Sequence, residues 1–369
     1  MLTDEIENAK RLVRTDAYQM SIGEIVSLYD DGEIIIDPEF QRLFRWGNSQ
    51  KSRLIESILL GIPLPPIFVF EKEDAKWELV DGLQRLSTLL EFMGKLRTPE
   101  GMKERPSILE STKYLPSLHN CVWEKSEKIE DVDVDNQIEV GKINQLAIRR
   151  ARIGVEILKR PSDEQTKFDL FQRLNAGGTI ANAQELRNCV MLMVNKEYFR
   201  MVKSLAETES FRQITGFTDD QKDRQKHMEF ATRFLIHCFT SYDGKLDVEE
   251  YIDDGTVKLC RLNNIPDARS VFIRTFDLLF AAVGENALRR FEGGRYVQKV
   301  GLVGLEGIAV GVAKNIDNIL NLADPKSYVR DRSQAFWAQQ ESAGFTSPGL
   351  RGTVRLTRTV PFGEKWFCP

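Results

Sequence analysis

The chain is 369 residues long, 42% hydrophobic and 29% charged, with a formal net charge of −4. This length accommodates two cores of ordinary size, and the acidic balance excludes a surface that attracts nucleic acid everywhere, so any DNA contact must come from a local patch. Five scattered cysteines with no Cys-x-x-Cys spacing, an acidic polar N-terminus and no apolar run near the ~20 residues that cross a bilayer together indicate reduced thiols, no zinc cluster, no membrane partner and a cytoplasmic location.

In chain order, Ser21 to Glu24 reads as a capping box, followed by a short helix with Ile22, Ile25, Val26 and Tyr29 on one face and Asp31-Gly32 at its end. A brief β-branched strand over 33–36 runs into Asp37-Pro38, which sends Gln41 and Arg42 into a loop. Ser49 is expected to cap a second helix, with Leu54, Ile55, Ile58 and Leu59 as its apolar stripe and Gly61 as its stop. Strands over 67–70 and 77–80, joined by a polar turn, make a hairpin whose second strand runs directly into Asp81-Gly82. Beyond it Leu86, Leu89, Leu90 and Met93 repeat at helical spacing up to Gly94. Residues 97–146, interrupted by Pro99, Pro106 and Pro116 and rich in acids, read as an insertion. A strand over 151–158 and a helix carrying Phe168, Leu170, Phe171 and Leu174 follow, ending at Asn175-Ala176-Gly177-Gly178. Helical patterns then dominate, over 186–193, 228–239, 271–283 and 300–322. The expected architecture is α+β, with an N-terminal domain over 1–180 and a mostly helical domain over 181–369 that ends in a basic, aromatic segment.

Three stretches carry candidate chemistry. Asp81-Gly82-Leu83-Gln84-Arg85 sets a carboxylate, a flexible turn, an amide and a guanidinium at the start of a helix, where free N–H groups and the helix dipole favour a phosphate. Asp81 suits a magnesium ion or an attacking water, and Gln84 suits water positioning. The bland reading is an Asp-Gly turn beside a surface arginine. Gln41, Arg42 and Trp46 offer an amide and a guanidinium for phosphate and a ring for a base, or else a buried aromatic anchor with solvated arginines. Asn175 and Gly177 close the pocket from the far side or merely cap a helix. The three histidines, His119, His227 and His237, read as structural, and Arg330, Arg332, Arg351, Arg355 and Arg358 near Phe336, Trp337 and Trp366 read as a basic surface over an aromatic mini-core or as contacts to DNA phosphates.

Taken together and in order, Phe40-Gln41-Arg42 with Trp46, the run from Leu54 to Pro63, Val80 to Thr88, and Phe171 to Gly178 with Glu185-Leu186-Arg187-Asn188 resemble the ParB-like N-terminal domain of GmrSD-type restriction endonucleases. Arg224, Glu229 and Arg233 resemble a further helix of that family. The resemblance implies a ParB/sulfiredoxin-like fold and a site for a nucleoside triphosphate with magnesium in a defence system against foreign DNA. In that reading Gln41, Arg42, Trp46, Gly82, Arg85, Asn175 and Gly177 bind the nucleotide, Asp81 and Gln84 serve turnover, and Asp81 holds the metal. DNA and a separate nuclease subunit are the implied partners, because no His-Asn-His arrangement follows in this chain. The competing reading is a non-catalytic module that contacts DNA backbone phosphates with the same arginines. The family's usual motif is Asp-Gly-Gln-Gln-Arg, and Leu83 stands here in place of the first glutamine, which predicts slow or partner-dependent turnover.

Overall fold

A computed structural model describes residues 14–41, 46–98, 100–159, 183–262, 264–347 and 349–369. The chain divides into two units, Met1–Ile180 and Ala181–Pro369. In the first, strand β1 (Arg14–Ser21) ends on Ser21, whose hydroxyl accepts the Glu24 amide at 3.2 Å and caps helix α1 (Ile22–Asp30). The expected face of α1, Ile22, Ile25, Val26 and Tyr29, is the face it buries. Strand β2 (Ile34–Ile35) follows, and Pro38 then opens a single helical turn, α2 (Pro38–Gln41). Gln41 therefore closes a helical turn rather than opening a loop, because proline's fixed φ suits a first helical position.

Helix α3 (Asn48–Leu59) is capped by Gly47, not by Ser49, which lies inside its first turn. Strands β3 (Ile67–Glu71) and β4 (Trp77–Asp81) form the expected antiparallel hairpin, and helix α4 (Leu83–Phe92) leaves it directly. The segment 97–141 holds two short parallel strands, β5 (Cys121–Val122) and β6 (Ile138–Glu139), over a small cluster of Ile108, Val122 and Ile129. One carboxylate ties it to the main body: Glu56 of α3 accepts the Thr112 hydroxyl at 2.5 Å and the amides of Tyr114 and Leu115 at 2.9 and 3.1 Å. Helix α5 (Lys142–Arg150) packs on α1 and α3, so the inserted region ends before it, at Gly141. Strand β7 (Arg152–Lys159) completes a mixed five-stranded sheet in the order β1-β7-β3-β4-β2. β7 pairs antiparallel with β1 and parallel with β3, and its inward side chains Ile153, Val155 and Ile157 are fully buried.

The second unit begins with helices α6 (Ala183–Val194), α7 (Lys196–Ala206), α8 (Glu209–Thr215), α9 (Asp219–Asp223), α10 (Lys226–Phe239), α11 (Val248–Leu262) and α12 (Ile265–Val283). Phe211, Phe234, Phe272 and Phe276 meet at its centre with ring centroids 4.5 to 5.3 Å apart, close enough to add to the energy of simple burial. A hairpin of β8 (Arg289–Glu292) and β9 (Arg295–Val300) interrupts the helices. The single helix expected over 300–322 is broken into a π-helical turn (Gly304–Ala309), α13 (Val310–Lys314) and α14 (Ile316–Leu320). The glycines of this stretch lie against α17 (Gly352–Trp366): a Cβ on Gly311 would sit 2.6 Å from the Gly363 carbonyl oxygen, and one on Gly363 would sit 2.1 Å from that of Gly307. Close approach of two backbones, not apolar periodicity, sets the break. Between them come α15 (Pro325–Phe336) and α16 (Gln340–Phe345). No helix among the described residues is long and apolar enough to cross a membrane.

Candidate functional site

The strand–turn–helix at the end of β4 is built by three local constraints. Gly82 sits at φ +93°, where a side chain is strained, and a Cβ there would lie 2.5 Å from Ile67 Cγ2. A register shift between Phe68 and Val69 in β3 sets Asp81 opposite Phe68 at the end of the hairpin away from its turn. The chain then turns at once into α4, whose first amides have no carbonyl within the helix to bond. Leu86 N is the first to close onto the turn, at 2.9 Å from the Gly82 oxygen.

Arg85 is fixed over this turn. Its Nη2 donates to the Pro66 carbonyl at 2.9 Å and to Asp81 Oδ2 at 3.2 Å, so one guanidinium spans the start of β3 and the end of β4. Gln84 Oε1 accepts the Trp46 amide at 3.2 Å, which brings the chain after residue 45 to the same helix start. Asp81, Gly82, Gln84, Arg85 and the Trp46 backbone thus stand together. Gln41 behaves differently: it is buried, and its side-chain nitrogen donates to the Arg97 carbonyl, which commits that donor to the protein. Arg42, Asn175 and Gly177 lie outside the described residues.

Leu83 is 5% exposed, packed on the buried side of α4 with Leu86 and Leu90. The departure at this position therefore removes no hydrogen-bonding group from the open side of the turn, and the slow turnover expected from it loses its physical basis. A Leu83→Gln chain should lose about 1–3 kcal/mol of stability, because an amide would enter an apolar site, and should gain no phosphate release. Denaturant unfolding beside a phosphate-release assay checks both, and a variant that turned over faster at wild-type stability would contradict this placement.

Behind the turn, Lys51 of α3 and Glu91 of α4 form a largely buried pair at 2.6 Å. Burial pushes the Glu91 carboxyl up, and Lys51 opposes it. The pair locks the two helices that flank the candidate site.

Buried charge is denser in the second unit, and sequence reading missed most of it. Arg187 of α6, 1% exposed, donates to Asp253 at 2.6 Å and to Glu249 at 2.5 Å. Arg233 of α10 reaches the other oxygen of Glu249 at 2.5 Å and Glu229 at 2.9 Å. The Nη1 atoms of both arginines are buried without a partner among the described residues. Burial raises the Asp253 carboxyl, whereas at Glu249 the two guanidiniums outweigh burial and lower it. Glu306, in the π-helical turn and fully buried, is held by Arg355 through two bonds of 2.9 and 3.0 Å. A lone acid inside the run Leu305-Glu306-Gly307-Ile308 was the available signal. Arg332 lies 4.0 Å from the Trp366 ring and donates to that residue's carbonyl. Arg332 and Arg355 are thus committed to contacts within the protein, where a basic surface or contacts to DNA phosphates were expected. Among the described residues no group of three or more His, Cys, Asp or Glu side chains is arranged to hold a metal.

Comparison with known proteins adds one assignment. Residues 22–192 match the family model described as GmrSD restriction endonuclease, N-terminal domain. No curated protein and no solved structure matches the chain. The matched span covers all of the strand–turn–helix and continues through most of α6.

Proposed function

Residues 22–192 are a GmrSD restriction endonuclease N-terminal domain, and from that premise we propose that the protein is the nucleotide-binding component of a restriction-type defence system, with a ParB/sulfiredoxin-like first unit. The observation that supports this most is the turn at Gly82. A left-handed glycine delivers the backbone to a helix start while Arg85, pinned to Pro66 and Asp81, lies over the same point. Helix-terminal amides and a preorganised guanidinium are the elements that hold a phosphate. A nucleoside triphosphate is the ligand in this reading.

Asp81, partly open to solvent and the only carboxylate at the turn among the described residues, fits a magnesium ion carried mainly by ligand phosphates, which needs only one or two protein carboxylates. The ion would supply charge neutralisation at the phosphates. Asp81 also orients Arg85, and Gln84 keeps the Trp46 backbone at the site. The target is DNA, and a nuclease subunit is the partner in this reading.

Isothermal calorimetry with each triphosphate and magnesium tests the reading. The wild type should bind, and Arg85→Ala should lose about 10- to 100-fold in affinity, the range expected for a charge-assisted contact. Arg85→Lys should recover only part of it, since an ammonium cannot reproduce the planar fork. Wild-type affinity in a folded Arg85→Ala protein would remove the phosphate role. A non-catalytic DNA-binding module using the same arginine would instead show steep salt dependence with DNA and no triphosphate binding.

A further inference from the structure

The β8–β9 hairpin is locally basic. Its residues 289–300 include Arg289, Arg290, Arg295 and Lys299 against one acid, Glu292, in a protein whose formal net charge is −4. The two-residue turn, Gly293 at φ +58° and Gly294 at φ +78°, has both positive angles that match the twist of a tight hairpin. It leaves a tip without side chains.

One face of the ribbon is already occupied. The rings of Phe291 and Tyr296 pack across it, tilted, with centroids 4.8 Å apart, and the Tyr296 hydroxyl accepts from Gln334 of α15 at 3.0 Å. Strand alternation turns Arg290, Glu292 and Arg295 to the opposite face. Arg295 and Lys299 are exposed, and Val297 is 40% exposed between them. Arg290 lies 3.3 Å from Glu292, which leaves Arg295 and Lys299 without a carboxylate partner among the described residues.

We infer that this outer face of the ribbon docks on the phosphodiester backbone of duplex DNA, with Arg290, Arg295 and Lys299 as its phosphate contacts. The inference rests on DNA being the target in the reading above. The carriers are the local excess of cations, a slender side-chain-free tip, and a two-stranded ribbon of the width that the major groove admits. Phosphate contacts of this kind set affinity and its salt dependence without reading sequence.

Fluorescence anisotropy with a labelled random-sequence 30-base-pair duplex, from 50 to 200 mM NaCl, tests it on the full chain. The Arg290→Ser/Arg295→Ser/Lys299→Ser triple variant should show a slope of log affinity against log salt shallower by about 2.7, as expected for three lost phosphate contacts, and bind at least tenfold more weakly at 50 mM. Glu292→Gln should bind more tightly than wild type, because it removes the one carboxylate on that face. Unfolding midpoints should be unchanged in all three proteins, since the altered side chains lie at the surface. Wild-type binding that keeps its affinity and slope in the triple variant would overturn the ribbon while leaving DNA as the target. A wild type that binds no duplex at 50 mM would overturn the ribbon, and triphosphate calorimetry on the same sample reports on the Gly82 site independently.

Discussion

Arg187→Ala should destabilise the second unit by about 3–5 kcal/mol, the cost of breaking a buried ion pair from one side. The guanidinium is 1% exposed and is the partner of both Asp253 and Glu249. Its removal takes that cation from the largely buried Asp253 carboxylate and opens a cavity between α6 and α11. Such a loss is comparable with the whole stability of many domains. Arg187→Met combined with Asp253→Asn should recover more than half of it, because removing both charges together leaves no uncompensated ion. Urea unfolding of the three proteins decides the matter. A loss under 1 kcal/mol for Arg187→Ala would mean that Arg233 alone holds Glu249 and that Asp253 has found another partner.

The second large effect is one of pH. His237 is buried, stacks on Tyr251 with ring centroids 5.8 Å apart, and has a ring nitrogen, Nε2, with no hydrogen-bond partner among the described residues. Burial, reinforced by Arg233, Arg355 and Lys314, holds its pKa down to about 3 from an ordinary 6.5. Between pH 6.5 and 3 the unfolded chain therefore takes up a proton that the folded chain refuses. The stability associated with neutral His237 is complete above pH 6.5 and falls steadily below it, by about 2 kcal/mol at pH 5. Glu306 and Asp253 act in the opposite sense, since burial raises both carboxyls and the folded state binds their protons more readily. Comparison with His237→Gln cancels those contributions. The difference in unfolding free energy between the two proteins should change by about 2 kcal/mol from pH 8 to pH 5, and parallel pH profiles would show that the imidazole titrates normally.

What was legible in the sequence was local. The Ser21 cap, the buried face of α1, the β3–β4 hairpin and the turn at Gly82 each rest on neighbouring residues whose preferences agree. Where two local signals competed, the weaker one was followed: Gly47 and Asn48 start α3 ahead of Ser49, and Pro38 starts a helical turn where a loop was expected. The β8–β9 hairpin was readable from Gly293-Gly294 between Phe291 and Tyr296, a pairing of turn and flanking residues that strand rules recognise. The π-helical turn was not, because its cause is the backbone of α17 some fifty residues away, a distance no periodicity spans.

At the candidate site, sequence reasoning placed Asp81, Gly82, Gln84 and Arg85 on one turn, and they stand together. It could not assign directions to side chains. Whether residue 83 faces ligand or core depends on the rotation of α4 against the sheet, and Gln41 is turned to Arg97 by a contact across more than fifty residues. The Arg187 and Arg233 network was invisible for the same reason: five charged residues on three helices look solvated until the helices pack.

Helix α6 separates descent from folding. The span that matches the family model stops at residue 192, yet the last ten residues of that span belong to α6, whose buried side chains Arg187, Val190 and Met191 pack among α7, α10 and α11 of the second unit. A fragment cut at the end of the inherited module would keep this helix and discard its core, leaving an unpaired guanidinium and an apolar stripe in water.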